Sequence, residues 1–142
     1  MKKIFTLTTS FLLTMVLLTS CYQDSTIYTD HHNYWLDKEQ GEVVYSDTYC
    51  SYYVVETYYG YTIVRSYAGY KPYEGTIVYG DFSSRGTRDM YNYSEDFVFT
   101  GTVTDYWLTY NEAQDALDYY CPVYGKGVTT KRVFKKSTLF KK

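Results

Sequence analysis

Five carboxylates stand on or beside the predicted strands of this chain and could supply acid–base chemistry. They are Asp81, Asp89, Glu95, Asp96 and Asp105. Two carboxylates that flank a glycosidic bond are the machinery of most glycoside hydrolases, so a small carboxylate-dependent hydrolase centred on Asp105 is one hypothesis. Asp105 interrupts the apolar face of a predicted strand. Burial of its carboxyl group there would favour the neutral, protonated form that a general acid requires. Such a residue more often marks a strand end, a bulge or a hydrogen-bonded structural group, and that interpretation is favoured.

The sequence contains few residues that could support catalysis by histidine or by an activated nucleophile. The two histidines, His31 and His32, are adjacent and lie in a polar segment predicted to be a tether. Together with Asp30 they would be weak metal ligands, because three neighbours on a flexible segment form no rigid site. Without histidine in the rest of the chain, a Ser-His-Asp or Cys-His arrangement is excluded there, and the sequence has no glycine-rich phosphate loop. We therefore expect a non-enzymatic protein without a metal or cofactor.

Tyrosine is the most unusual component of the composition, with 21 residues, all of them beyond residue 21. A domain of this size cannot bury so many phenols, since each hydroxyl needs a partner when it leaves water. The segment YAGYKPY places Tyr67, Tyr70 and Tyr73 three residues apart, and its Gly69 and Pro72 argue against regular sheet. Some of these rings are therefore expected at the surface.

A spacing of three in an extended segment influenced by proline would align these loop rings along one edge. Exposed tyrosines could stack on a glycan or bind an envelope protein, because the ring is rigid and amphipathic. The alternative is a loop that folds back to cap the sheet, and both interpretations stay open. The strand tyrosines are predicted to pack in the core or across strands, namely Tyr45, Tyr53, Tyr59, Tyr79 and Tyr106.

The first residues have the pattern of a secretory signal peptide. Lys2 and Lys3 precede an apolar stretch from Ile4 to Leu18, which ends in small residues. A membrane-spanning helix needs about 20 mainly apolar residues to cross ~30 Å of hydrocarbon, and this stretch is shorter.

The end of that segment, Leu18-Thr19-Ser20-Cys21, resembles the lipobox of bacterial lipoproteins over residues 1–21. The resemblance implies cleavage before Cys21 and lipidation of that cysteine, hence an exported, membrane-anchored protein. Two acyl chains bind a membrane stably, whereas one binds it marginally. The family's sorting pattern favours the outer membrane, since Tyr22 and not aspartate follows the cysteine. An ordinary cleaved signal is the alternative. The rest of the chain is similar in composition to short tyrosine-rich lipoproteins of Bacteroidota, a likeness that carries over no site residues.

The remaining cysteines, Cys50 and Cys121, form an even pair in an exported chain and could be joined by a disulfide. Two separate buried thiols are the equal alternative, because free cysteine packs as a small hydrophobe.

Charge is divided unevenly along the chain. Residues 22–125 carry five basic and sixteen acidic residues, a net of −11, whereas residues 126–142 carry seven basic residues and no acid. The acidic body of an exported protein argues against nucleic-acid binding. The basic tail could lean on anionic lipid headgroups or on the domain itself, and an exposed edge strand is the favoured interpretation.

The predicted elements are mainly β. Residues 50–67 are rich in Tyr, Val, Ile and Thr, and Gly60 within them predicts a hairpin turn or a bulge. Residues 76–82 and 87–93 flank a polar loop and predict a second hairpin. In residues 96–110 the apolar and threonine positions alternate, with Phe97, Phe99, Val103 and Trp107 on one face.

One helix is predicted at residues 112–121, with Asn111 as its cap and Gln114 at the capping-box position. A last strand is predicted at residues 128–134. The predicted fold is mainly β, a β-rich α+β class with one antiparallel sheet, curled or partly closed, of five to seven strands and one helix near the C-terminus.

The predicted organisation is a signal peptide at residues 1–20, a lipidated cysteine and tether at 21–40, and a single β-rich domain with a basic C-terminal tail at 41–142. Residues 34–36, YWL, are apolar enough to dock on the domain. We expect a lipid-anchored binding or structural module. The alternatives are the hydrolase and an accessory subunit of an envelope complex.

Overall fold

The computed structural model describes residues 32–122 and 132–140 of the 142-residue chain. Residues 32–36 are helical. They are followed by six strands, β1 (Glu39–Ser46), β2 (Tyr52–Thr57), β3 (Gly60–Ser66), β4 (Ile77–Gly80), β5 (Gly86–Asn92) and β6 (Phe97–Leu108), and then by helix α1 (Tyr110–Tyr120).

All strand pairs are antiparallel, and the sheet closes into a barrel in the order β1-β2-β3-β6-β5-β4. The predicted class, one antiparallel sheet of five to seven strands with a helix near the C-terminus, is confirmed. Closure is complete in the described residues, where the sequence predicted a curled or partly closed sheet. Closure removes the free sheet edges that would otherwise pair with other molecules.

Both predicted hairpins are present. Residues 50–67 divide into β2 and β3, which pair from Thr57↔Gly60 outward, so that Tyr58 and Tyr59 form the turn. Gly60 has φ 131, a conformation that favours glycine. The strands β4 and β5 form the second hairpin around the loop at residues 81–85.

The interior of the barrel is filled by inward-facing apolar side chains, which alternate with outward-facing residues along the strands. These are Val43, Tyr53, Val55, Val64, Val78, Phe82, Met90, Phe99 and Val103. Gly101 makes room for them, because a Cβ there would lie 2.9 Å from Cγ1 of Val64 and 3.0 Å from the hydroxyl of Tyr53.

A second apolar layer covers the outer face of β1, β2 and β3. Helix α1 supplies Ala113 and Leu117, and Phe134 comes from residues 132–140, which we call the C-terminal strap. The strap has no assigned strand, and the other residues of the strand predicted at 128–134 lie outside the described residues. The strap is held by hydrogen bonds that are not part of a strand pairing, such as that from Lys135 N to Val44 O at 2.8 Å.

Helix α1 begins earlier than predicted, and its N-cap is Thr109, not Asn111. The hydroxyl of Thr109 accepts from the Glu112 amide, while the Glu112 carboxylate accepts from the Thr109 amide at 2.8 Å. This reciprocal capping box satisfies two amides at once, so it displaces the alternative start that has Asn111 as cap and Gln114 in the capping box.

Cys50 and Cys121 are joined by a disulfide, with their Cα atoms 5.7 Å apart. The bond ties the end of α1 to the chain just before β2. None of the helices in the described ranges is long and apolar enough to cross a membrane.

The barrel has two ends that differ in composition. The Trp107 end carries the β2–β3 turn, the loop at residues 81–85 and the end of β6. The Tyr70 end carries residues 67–76 and the β5–β6 turn.

Candidate functional site

The three loop tyrosines predicted to line one edge do not do so. Tyr67 and Tyr70 are bridge partners across a tight turn formed by Ala68 (φ 53) and Gly69 (φ 85). A turn of this kind reverses the chain, so the polyproline-like alignment predicted from the spacing is wrong. Tyr67 and Tyr73 remain exposed, and Tyr70 is half-buried.

Tyr70 closes one end of the barrel. Its ring contacts Phe97 and Phe99 edge-on, with centroids 5.0 and 5.1 Å away. Its hydroxyl donates to Oε2 of Glu95 at 3.2 Å and accepts from Nδ2 of Asn92 at 2.8 Å. Burial raises the pKa of Tyr70. The contacts of Tyr70 match the alternative in which the loop caps the sheet.

Each of the five candidate carboxylates has partners within the protein. Asp105 accepts from Nη2 of Arg85 at 3.0 Å and from the hydroxyl of Tyr120 at 2.7 Å. The partners of the other four are Arg88 and Ser84 for Asp81, Thr100 for Asp89, Tyr70 and Asn92 for Glu95, and Tyr91 for Asp96. The hydrogen bond to Asp105 is the main cause that raises the pKa of Tyr120. All five carboxylates are thus hydrogen-bonded within the protein, as the structural interpretation expects.

Aromatic rings gather instead at the Trp107 end. Tyr58, Tyr59 and Trp107 are 75%, 61% and 58% exposed, and Tyr106 beside them is partly buried. Ring centroids of Tyr59 and Trp107 lie 6.0 Å apart, and those of Tyr106 and Trp107 lie 5.4 Å apart. The Tyr58 and Tyr59 rings meet edge-on at 5.4 Å. We call these four residues the aromatic platform.

Irregular pairing of β6 with β3 turns Trp107 outward. The pairing is irregular at two places. From Val64↔Val103 to Ile63↔Asp105, β6 advances two residues while β3 advances one, and from Ile63↔Asp105 to Tyr61↔Leu108, β6 advances three residues while β3 advances two. Each extra residue is a β-bulge, which bends the strand and re-aims side chains. After the first bulge Asp105 pairs with Ile63, which belongs to the outer apolar layer, so the alternation of faces is already reversed before Trp107. The predicted apolar face is therefore buried at Phe99 and Val103, but Trp107 leaves it, and Phe97 is also partly exposed.

The indole of Trp107 is fixed in this exposed position. Its Nε1 donates to Oγ of Ser83 at 2.9 Å, and that hydroxyl donates to Oε2 of Glu39 at 2.8 Å. The backbone of Trp107 has φ 58, a region that bulky residues rarely occupy. A residue held in such a conformation while its ring faces solvent is a feature found at binding sites.

Polar groups border the platform. Arg85 donates through Nε to the carbonyl of Thr104 at 2.7 Å and pairs with Asp105. Its guanidinium is mainly exposed, so donors and acceptors lie next to the rings.

A cleft of about 570 Å³ lies at the disulfide, with Tyr49, Tyr52 and Tyr120 among its lining residues. Its charged groups are already used. Arg132 donates to the carbonyls of Leu117 and Cys121 at the end of α1, and Asp47 accepts from Tyr45 and Tyr49. These contacts are structural, so this cleft is a weaker candidate than the platform. Within the described ranges, no cluster of three or more His, Cys, Asp or Glu residues could hold a metal ion.

Sequence reasoning missed the platform. Tyr59 was predicted to be a packing residue and Trp107 to share the apolar face of its strand, and Tyr58 was not singled out. The available signal was a pair of tyrosines directly before Gly60, because the two central residues of a tight hairpin turn project from the sheet. Cys21, Asp30 and His31 lie outside the described residues. No protein-family model, curated protein or solved structure shows significant similarity to this chain.

Proposed function

We propose that this protein is a lipid-anchored, non-enzymatic recognition module of the bacterial cell envelope that binds a glycan chain through the aromatic platform. The observation that carries the proposal is Trp107, whose ring is exposed, pinned by Ser83 and attached to a backbone in the left-handed region. A surface tryptophan kept in this costly conformation is hard to explain by packing alone.

The chemistry of the platform favours a sugar over an apolar partner. Tyrosine and tryptophan rings present an apolar face and a polar edge, which is the pattern of a sugar ring with its hydroxyls. The Arg85–Asp105 pair adds a donor and an acceptor at the border. Binding sites with a few convergent polar groups among aromatic walls are typical of small ligands.

The arrangement of the rings favours a single soluble chain. The planes of Tyr59 and Trp107 are inclined by 44°. Two rings inclined in this way cannot both lie flat against one crystalline surface. A chain whose successive sugar faces turn relative to each other can contact both.

The anchor is proposed from the sequence. The Leu18-Thr19-Ser20-Cys21 segment resembles a lipobox, and lipidated Cys21 would hold the protein at a membrane, with the outer membrane favoured. Growth with labelled palmitate tests this, because Cys21→Ser should abolish incorporation of label into the protein and release it from the membrane fraction. Equal labelling of both proteins would contradict the anchor.

The binding test uses full-length protein in detergent and a panel of soluble polysaccharides, namely laminarin, xylan, mannan and the anionic hyaluronan. We expect saturable binding to at least one neutral member by calorimetry. Trp107→Ala should weaken it about tenfold or more, equivalent to ~1.4 kcal/mol, and Tyr59→Ala should also weaken it.

The matched control is Tyr73→Ala. Tyr73 is 74% exposed but lies at the Tyr70 end of the barrel, so its loss should leave binding unchanged. Absence of binding to every polysaccharide would overturn the proposal and favour a protein partner. Unchanged binding by a folded Trp107→Ala variant would overturn the platform as the site.

A further inference from the structure

A second candidate binding surface lies beside the platform. It is a cleft of about 400 Å³, a volume within the range of small-ligand sites. We call it the charged cleft, and it is lined by Tyr34, Trp35, Lys38, Asp81, Arg88 and Asp89.

One wall of the charged cleft is a supported aromatic ring. Trp35 is buried and stacks on Tyr91 of the barrel, with centroids 6.0 Å apart and planes inclined by 17°. Tyr34 meets Trp35 edge-on at 5.2 Å and is 55% exposed. The exposed tyrosine is therefore positioned by a buried anchor, as the apolar character of residues 34–36 predicted.

The charged groups of the cleft are balanced, and three of them are held by hydrogen bonds. Arg88 is held by Asp81, by Oγ of Ser84 at 2.7 Å and by the carbonyl of Arg85 at 2.7 Å. One oxygen of Asp89 accepts from a threonine hydroxyl. The cleft thus presents two cations and two carboxylates with no net charge, a setting suited to hydroxyl groups, which both donate and accept.

Lys38 keeps donors for a ligand. Its Nζ lies 4.6 Å from the centroid of the Tyr34 ring. Among the described residues, no carboxylate lies within ion-pair distance of it.

The charged cleft and the platform meet at one loop. In residues 81–85, Asp81 lines the cleft, Ser83 binds the indole of Trp107 and Arg85 borders the platform. Two residues of chain span at most about 7 Å. Lys38 in the cleft also directly precedes Glu39, which accepts from Ser83. Two separate connections thus place both surfaces side by side at the Trp107 end.

We infer that the platform and the charged cleft are two subsites for one neutral glycan chain, which crosses the loop at residues 81–85. This inference rests on the proposed function. It deepens that function by assigning an uncharged, extended ligand and a second set of contacts.

The test is the dependence of affinity on chain length. Neutral oligosaccharides from disaccharide to hexasaccharide, cut from whichever of laminarin, xylan or mannan binds full-length protein most tightly, are titrated by calorimetry. Affinity should rise with length until both subsites are filled. Tyr34→Ala should weaken binding of the hexasaccharide at least fivefold and leave binding of the disaccharide unchanged.

Lys38→Ala is the second cleft variant, since its exposed side chain can be removed without unpacking Trp35. Trp107→Ala should weaken long and short ligands alike, and Tyr73→Ala should change neither. An affinity independent of length, or cleft variants that bind the hexasaccharide as wild type does, would overturn the two-subsite inference while the platform stands. Absence of binding by wild type to every polysaccharide would overturn both proposals.

Discussion

The backbone at Trp107 is the most informative single-residue feature of this protein. Among the described residues, the non-glycine residues with positive φ are Ala68, Asp96 and Trp107. Ala68 and Asp96 belong to turns, where such angles recur. Trp107 lies within a strand and has the bulkiest side chain, so its conformation calls for a local cause, which is the β-bulge between β3 and β6.

The strain at Trp107 can be measured by comparing two substitutions that both remove the ring. At φ 58 the Cβ atom of alanine is crowded by the backbone, which costs free energy, and glycine has no Cβ atom. Trp107→Gly should therefore be more stable than Trp107→Ala by about 1 kcal/mol, as determined by urea unfolding. At an ordinary strand position the glycine variant would be less stable than the alanine variant. If Trp107→Gly proves less stable than Trp107→Ala, the backbone of residue 107 is not in the left-handed region.

At the scale of elements, the C-terminal strap is attached through one buried carboxylate on β1. Oε2 of Glu42 accepts from the amide of Thr138 at 2.7 Å, from the hydroxyls of Ser137 and Thr138 at 3.0 Å each, and from the amide of Leu139 at 3.3 Å. Burial by itself would raise the pKa of Glu42, but these hydrogen bonds outweigh it and hold the pKa below its ordinary value of 4.5. The ionised form therefore stabilises the folded strap.

The sign of the pH dependence follows from that shift. Because the folded pKa of Glu42 is depressed, its contribution is present above pH 4.5 and is lost as pH falls through the folded value. At neutral pH Glu42→Gln should lower the free energy of unfolding by about 2 kcal/mol, the scale of a charged hydrogen bond. Denaturant titrations at decreasing pH should show the gap between wild type and variant closing below 4.5.

Asp115→Asn is the control for this experiment, since Asp115 is an exposed carboxylate on α1. It should change the free energy of unfolding little at any pH. A gap for Glu42→Gln that stays constant from neutral to acid pH would contradict an ionised carboxylate at the strap.

At the scale of the whole molecule, the disulfide links segments distant in sequence. Cys50 and Cys121 are 71 residues apart and connect the end of α1 with the barrel. In the chain-entropy model, a cross-link over a loop of this length lowers the entropy of the unfolded chain and so raises its free energy by about 4 kcal/mol.

Reduction should therefore lower the free energy of unfolding by up to about 4 kcal/mol. Urea unfolding with and without dithiothreitol measures the change, and the Cys50→Ala/Cys121→Ala double variant should match reduced wild type closely. If reductant changes the midpoint of wild type by no more than it changes that of the double variant, the cross-link contributes nothing.

Local sequence signals determined the elements of this protein well. Alternation in residues 97–103, glycine at the β2–β3 turn and the polar loop between β4 and β5 act over a few residues, so a strand or hairpin could be predicted from them. The helix at the C-terminal end was found, but its start was misplaced because Thr109 and Asn111 are both good caps. Only the second hydrogen bond of the capping box, from the Thr109 amide to Glu112, decides between them.

Tertiary structure decided the site. The sequence by itself determined a β-rich fold, an abundance of tyrosine and the segment that resembles a lipobox, because these depend on composition and near neighbours. Which rings face outward depends on the register of β6 against β3, and the bulges in that pairing move Trp107 off the face of Phe99 and Val103. Closure of the barrel places the Tyr70 ring across one end and leaves the rings at the opposite end exposed. Such register and closure arise from contacts between distant segments, which no local pattern records.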